Sequence, residues 1–180
     1  DHQGNKKKLN FNLNNFKKFK DKIIYLILRK FPKNLTSWER ENFNRNAITR
    51  ALTECSPNDL IIISDADEIP NPEVLEKIKI KKFALFTQKE FIYKLNLLSN
   101  QSWNGSAICY KKYLKSPQWL RDKKFTRRGF IRKLFFKTQF LENGGWHFSF
   151  LKKPENIVKK LNSYAHSEFA VFGNVDFIRK

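Results

Sequence analysis

Methionine is absent from the 180 residues, cysteine occurs twice, and 17 acidic residues face 36 lysines and arginines. Cys55 and Cys109 are too few for a disulfide-rich scaffold, and no Cys/His cluster has zinc-finger spacing. The longest apolar run, Ile23–Leu28, falls far short of the roughly 20 residues a membrane-crossing helix needs. With Asp1 at its start and no Met, the chain reads as processed or as a piece of a longer protein. A missing signal peptide therefore carries no weight. Neither an internal repeat nor a linker is visible, which points to a single domain over residues 1–180. What is present is apolar bulk: 41% hydrophobic residues, 18 of them Phe, enough for a real core and against intrinsic disorder.

The formal charge of +19 raises nucleic-acid binding as a first reading. Its composition argues otherwise. Lysine accounts for 27 of the 36 cations, whereas a base-reading surface favours the planar fork of arginine. The basic residues are also spread along the chain, with only short clusters at 6–8, 17–22, 111–115 and 121–128. A solvated basic surface, or one that attracts anionic small molecules, fits better, and no nucleic-acid partner is expected. Sequons at Asn34, Asn100 and Asn104 arise easily in so Asn-rich a chain and carry little weight.

Residues 22–28 read as a buried strand, short, apolar and flanked by charge. Thr36-Ser-Trp-Glu39 has the form of a capping box and predicts a helix, with Phe43, Ala47, Ile48, Ala51 and Leu52 as its buried stripe and Pro57-Asn58 as its end. A second buried strand is predicted over Asp59–Ser64, and Asn71-Pro72 opens another helix with Pro at its tolerated first position. Strand, helix, strand, helix is the order of an α/β domain with a parallel sheet. Beyond Phe83 the texture changes. Strands are predicted at 83–87, 91–98 and 106–114, with a polar turn over Ser99–Gly105 and one helix over 154–165. The expectation is thus an α/β fold with a mixed sheet.

Asp65-Ala-Asp-Glu-Ile-Pro70 lies at the carboxyl end of the second strand, where open α/β sheets bind ligands. Asp65 and Asp67 are two apart and would share one side of an extended backbone. Carboxylates packed together repel unless a cation sits between them. Such hard oxygen donors suit Mn²⁺ or Mg²⁺, which share their shells with phosphate oxygens, so one reading is a metal holding a diphosphate. The other is an acidic loop that caps a strand and the next helix. Aspartyl-phosphate phosphatases also place Asp-x-Asp after an apolar strand. Their downstream acidic pair is missing here, where Asp122, Glu142, Glu155, Glu168 and Asp176 are isolated.

In Glu142–Pro154, two adjacent glycines allow a tight backbone beside a ligand, and Trp146 offers a face for a sugar. His147 suits Mn²⁺, and Lys152 or Lys153 suits phosphate. The alternative is a Gly turn into a core strand, with His147 bonded to a backbone carbonyl. Arg45 serves either a phosphate or a surface ion pair with Glu41.

Taken together, Trp38–Ile48, Asp59–Pro70, Gly145–Ser149 and Ser163–Glu168 resemble, in order, segments of glycosyltransferase family 17, the β-1,4-N-acetylglucosaminyltransferases that include the enzyme adding bisecting GlcNAc to N-glycans. The resemblance implies a GT-A (Rossmann-like) fold, a UDP-sugar donor (UDP-GlcNAc), and a divalent metal, Mn²⁺ or Mg²⁺. It also implies an acceptor such as N-glycan mannose and inverting transfer by single displacement. Within such enzymes the last Asp of the motif, here Asp67, touches the metal, while Asp65 contacts ribose or metal-bound water. A C-terminal His completes the shell: His147 is the first choice, partly because His147 to Pro154 is loosely similar to a His…Lys-Pro stretch of another GT-A family. His166 is second. Arg45 and Lys153 are assigned to donor phosphate and Glu142 to the catalytic base, with Glu68 and Glu168 as alternatives. Two departures stand out. The family's upstream strand–helix unit has no counterpart here, nor does the membrane anchor of its animal, Golgi-resident members. A degenerate transferase acting as a basic binding module is the non-enzyme alternative.

Overall fold

The computed structural model describes residues 8, 9, 11–123 and 138–163. They form two compact units, one drawn from 8–53 with 153–163, the other from 54–152.

In the first unit, a 3₁₀ segment over Leu13–Lys22 is capped by the Asn12 side chain, which accepts from the Asn14 N–H at 3.0 Å. Helix α1 (Ser37–Asn46) starts with the expected capping box. The Thr36 hydroxyl accepts from the Glu39 N–H at 3.3 Å, and the Glu39 carboxylate accepts from the Thr36 N–H at 2.7 Å. That bonding holds the Glu39 carboxyl below its usual value. The helix stops sooner than its apolar stripe suggests, tightening to a 3₁₀ turn over Ala47–Ala51. The buried strand expected at 22–28 does not form. Ile24, Tyr25, Leu26 and Ile27 are exposed and no strand pairs with them among the described residues. An apolar run supplies β-propensity, but a strand also needs a neighbour to take its N–H and C=O groups.

The second unit is built on a mixed six-stranded sheet. Its strands are β1 (Leu60–Ile63), β2 (Glu68–Pro70), β3 (Phe83–Ile92), β4 (Leu98–Tyr110), β5 (Gln139–Leu141) and β6 (Gly145–Ser149). The order is β1-β4-β3-β6-β2, with β5 pairing in parallel to the first part of β3. β1 and β3 run antiparallel to β4, β6 runs parallel to β3, and β2 is antiparallel to β6. With no strand at 22–28 to lie beside it, β1 pairs with antiparallel β4 and not in the parallel pair that the element order suggests.

At the middle of the sheet Ala84, Leu85, Phe86, Ala107, Ile108 and Cys109 are wholly buried, which explains why both strands read as continuous apolar runs rather than alternating ones. On one face Ala84, Phe86 and Ile108 pack with Ile80 and with Val74, Leu75 and Ile78 from α2 (Pro72–Glu76) and the chain after it. Asn71 caps α2, its side chain accepting from the Glu73 N–H at 3.1 Å. On the other side α3 (Pro117–Arg121) packs against β4 and β1, with Trp119 edge-on to Phe83 at 6.0 Å. Ser116 caps α3 and Pro117 takes its first position, a start signal that the sequence carries plainly.

The strand expected at 91–98 is mostly the hairpin turn, residues 93–97, and the turn expected over Ser99–Gly105 is instead the outer half of β4. Asn100, Gln101 and Ser102 sit where the hairpin leaves the core, so their side chains face water and the chain stays extended. The helix expected at 154–165 is present as α4 (Pro154–Ser163), which buries Ile157 and Leu161 one turn apart. Residues 164 and 165 lie outside the described residues.

Candidate active site

Residues 64–68 reverse the chain between β1 and β2. The Glu68 N–H donates to the Asp65 carbonyl at 3.1 Å, and the Ser64 hydroxyl donates to the Glu68 carbonyl at 3.0 Å. This turn separates the three acids. Glu68 points inward and is 4% exposed, whereas the Asp65 and Asp67 side chains are 39% and 36% exposed.

Glu68 is the hub of a buried network. One Arg121 nitrogen donates to its Oε2 at 2.7 Å, and the other donates both to its Oε1 at 2.9 Å and to Asp65 Oδ2 at 2.7 Å. Trp103 Nε1 donates to Oε1 at 2.8 Å, the Asp65 N–H to Oε2 at 3.1 Å, and the Ser106 hydroxyl to Oε2 at 3.3 Å. Ser64 and Ser106 share a hydrogen bond of 2.6 Å. Burial pushes the Glu68 carboxyl up, but hydrogen bonds and charge from Arg121, with help from Trp103 and the Asp65 N–H, hold it below its usual value of 4.5. The cation expected between packed carboxylates is thus, for Asp65 and Glu68, a guanidinium. Gly105 makes the room, since a Cβ there would collide with the Glu68 carboxylate and Trp103 Nε1.

Asp67 turns to β6. Its carbonyl accepts from the Phe148 N–H at 2.8 Å, and its Oδ1 lies 3.9 Å from His147 Nε2. Strand register sets Glu68 opposite His147 on one side and Glu90 opposite it on the other. Trp103 stacks on the imidazole with ring centres 4.4 Å apart and planes 19° from parallel. Sequence reasoning brought Asp67 and His147 together through the family resemblance, and it missed Arg121, Trp103 and Glu90. The Ser116-Pro117 helix start could have flagged Arg121, but Trp103 lay in a supposed turn and the Glu90 register spans 57 residues.

The remaining candidates fall elsewhere. Trp146 precedes His147 in an extended strand and so faces the opposite side of the sheet. Its carbonyl accepts from Gln88 at 3.4 Å. Glu142 lies on the turn between β5 and β6 and lines a shallow groove with Asn71, Glu73, Lys77 and Gln139. Neither Asp67 nor His147 lines that groove. The two glycines use their freedom against protein. A Cβ on Gly144 would meet Phe86, and Gly145, at φ +128°, lies against the Ile69 carbonyl. Arg45 and Lys153 belong to the first unit. Arg45 pairs with Glu41 at 2.8 Å, and the Lys153 carbonyl accepts from the Asn156 N–H at the start of α4. His166, Glu168 and Asp176 lie outside the described residues.

Among the described residues no three His, Cys, Asp or Glu side chains gather on one point as a closed protein cage would require. The half-exposed Asp67 carboxylate and the His147 imidazole instead offer one hard oxygen and one nitrogen to the same space. That donor set fits Mn²⁺ or Mg²⁺ bound mostly by water and phosphate oxygens.

The chain is 25% identical over 188 residues to the β-1,4-mannosyl-glycoprotein 4-β-N-acetylglucosaminyltransferases of Homo sapiens, Rattus norvegicus and Mus musculus. Each alignment covers 89% of this chain and 35% of the relative, so the chain spans about a third of those proteins. No solved structure gives a significant match. Residues 2–178 match the profile of glycosyltransferase family 17, and the chain belongs to that family.

Proposed function

We propose that this chain carries the donor site of an inverting, metal-dependent GT-A glycosyltransferase that moves GlcNAc from UDP-GlcNAc to a glycan hydroxyl, N-glycan mannose being the model acceptor. The carrying observation is the Asp67–His147 pair, 3.9 Å apart at the carboxyl end of β1. Family membership and the named relatives support the sugar-transfer class.

Asp67 and His147 are the residues that would hold Mn²⁺ or Mg²⁺, an ion that supplies charge neutralisation for a departing diphosphate. Asp65 would contact ribose or metal-bound water. The acceptor oxygen bonds to the anomeric carbon as the bond from that carbon to the diphosphate oxygen breaks, its electron pair leaving with UDP. The acceptor's proton passes to Glu142, the proposed base.

The test is transfer from UDP-GlcNAc by the full-length protein with Mn²⁺. Asp67→Ala is expected to lower the rate at least about 100-fold, in the range for losing a key electrostatic group, and retained transfer would end the proposal. Glu142→Gln is expected to lose transfer while keeping UDP binding. Full activity in that variant would remove Glu142 as the base.

A further inference from the structure

We infer that Glu90 is a positioning residue, holding His147 with its proton on Nδ1 and the Nε2 lone pair turned towards Asp67 and the cation site. Four groups surround the imidazole. Trp103 covers one face, and Glu68 lies opposite on the β2 ladder. Asp67 Oδ1 stands 3.9 Å from Nε2, and Glu90 Oε1 stands 3.3 Å from Nδ1. The His147 side chain is 8% exposed and that of Glu90 16%, so neither Nδ1 nor the carboxylate beside it has easy recourse to water.

Nδ1 is buried and makes no well-directed hydrogen bond, although a carboxylate oxygen lies within reach. Only a proton on Nδ1 makes that contact favourable, because an Nδ1 lone pair would face a carboxylate. A small rotation of either side chain aligns the bond. The stacked indole resists the ring flip that would exchange the two nitrogens. With the proton on Nδ1, the lone pair of Nε2 faces the Asp67 carboxylate, an arrangement that calls for a cation between them. A carboxylate behind an imidazole is a common way to fix a metal-binding tautomer and raise its basicity. The pairing rests on strand register, Glu90 opposite His147 in the parallel β3–β6 ladder, so the backbone itself sets it. This inference rests on the metal-site reading above.

Two measurements on the full-length protein separate it from that reading. Imidazole ¹⁵N NMR of the metal-free protein is expected to show His147 protonated at Nδ1. Glu90→Ala should move the proton to Nε2, while Glu90→Gln, whose side-chain oxygen still accepts a hydrogen bond, should keep it. Mn²⁺ affinity, read from water proton relaxation, should fall about 10- to 100-fold in Glu90→Ala and clearly less in Glu90→Gln. Wild type protonated at Nε2 alone, or equal Mn²⁺ affinity in wild type and a folded Glu90→Ala, would overturn the inference and leave the metal site standing. A wild type that binds no Mn²⁺ yet switches tautomer in Glu90→Ala keeps the positioning role and removes the metal reading.

Discussion

Replacing Arg121 by Met tests how the acidic turn is held. Arg121 is 2% exposed and gives three charged hydrogen bonds of 2.7–2.9 Å, two to Glu68 and one to Asp65. Asp65 is 39% exposed, so solvent screens its share to well under about 1 kcal/mol. Glu68 is different. Without Arg121 its charge stays buried, with Trp103, Ser64, Ser106 and the Asp65 N–H as the remaining donors, and breaking such a pair costs about 3–5 kcal/mol. The cost also depends on pH. In wild type the depressed Glu68 value contributes stability that is present above 4.5 and lost as pH falls through the folded value. In the variant, burial is less opposed and raises that value, so the carboxyl is most harmful near neutrality and harmless once protonated. Urea unfolding across pH 3–7 should therefore show a penalty of about 3–5 kcal/mol at pH 7 that shrinks towards pH 4. Arg121→Met with Glu68→Gln should recover at least about 1 kcal/mol of it. A penalty below about 1 kcal/mol, or one independent of pH, would refute the reasoning.

Gly105→Ala should cost about 1–3 kcal/mol, because the new methyl must displace Trp103 or Glu68; urea unfolding with tryptophan fluorescence reports both the loss and the moved indole. Burial pushes the Cys109 thiol up to about 11, while Cys55 is half-buried. Native alkylation at pH 8 followed by mass spectrometry should thus label Cys55 and spare Cys109 until the protein unfolds, and equal labelling would show that the β1–β4 pairing opens readily.

What the sequence disclosed was local chemistry. The capping box at Thr36, the starts of α2 and α4, the core strands within 59–64, 83–87 and 106–110, and the placement of Asp65–Pro70 beyond β1 all follow from neighbouring residues, and the structure has them. What it concealed depends on distant partners. Ile23–Leu28 has the residues of a strand but no ladder, and Ser99–Gly105 has the residues of a turn but pairs with β3. Gly105 reads as a chain breaker, yet its missing side chain is the space that Glu68 and Trp103 fill. The acidic motif announced a cation. That the cation between Asp65 and Glu68 is Arg121, 53 residues beyond Glu68, could emerge only from the fold.

The central claim is that the acidic turn and His147 hold a metal together with a nucleotide diphosphate. It is tested most directly by calorimetric titration of UDP into the full-length protein with and without Mn²⁺. The account predicts binding that requires Mn²⁺ and disappears in Asp67→Ala while the fold persists. UDP binding of equal strength without the ion, or undiminished in that variant, would contradict it.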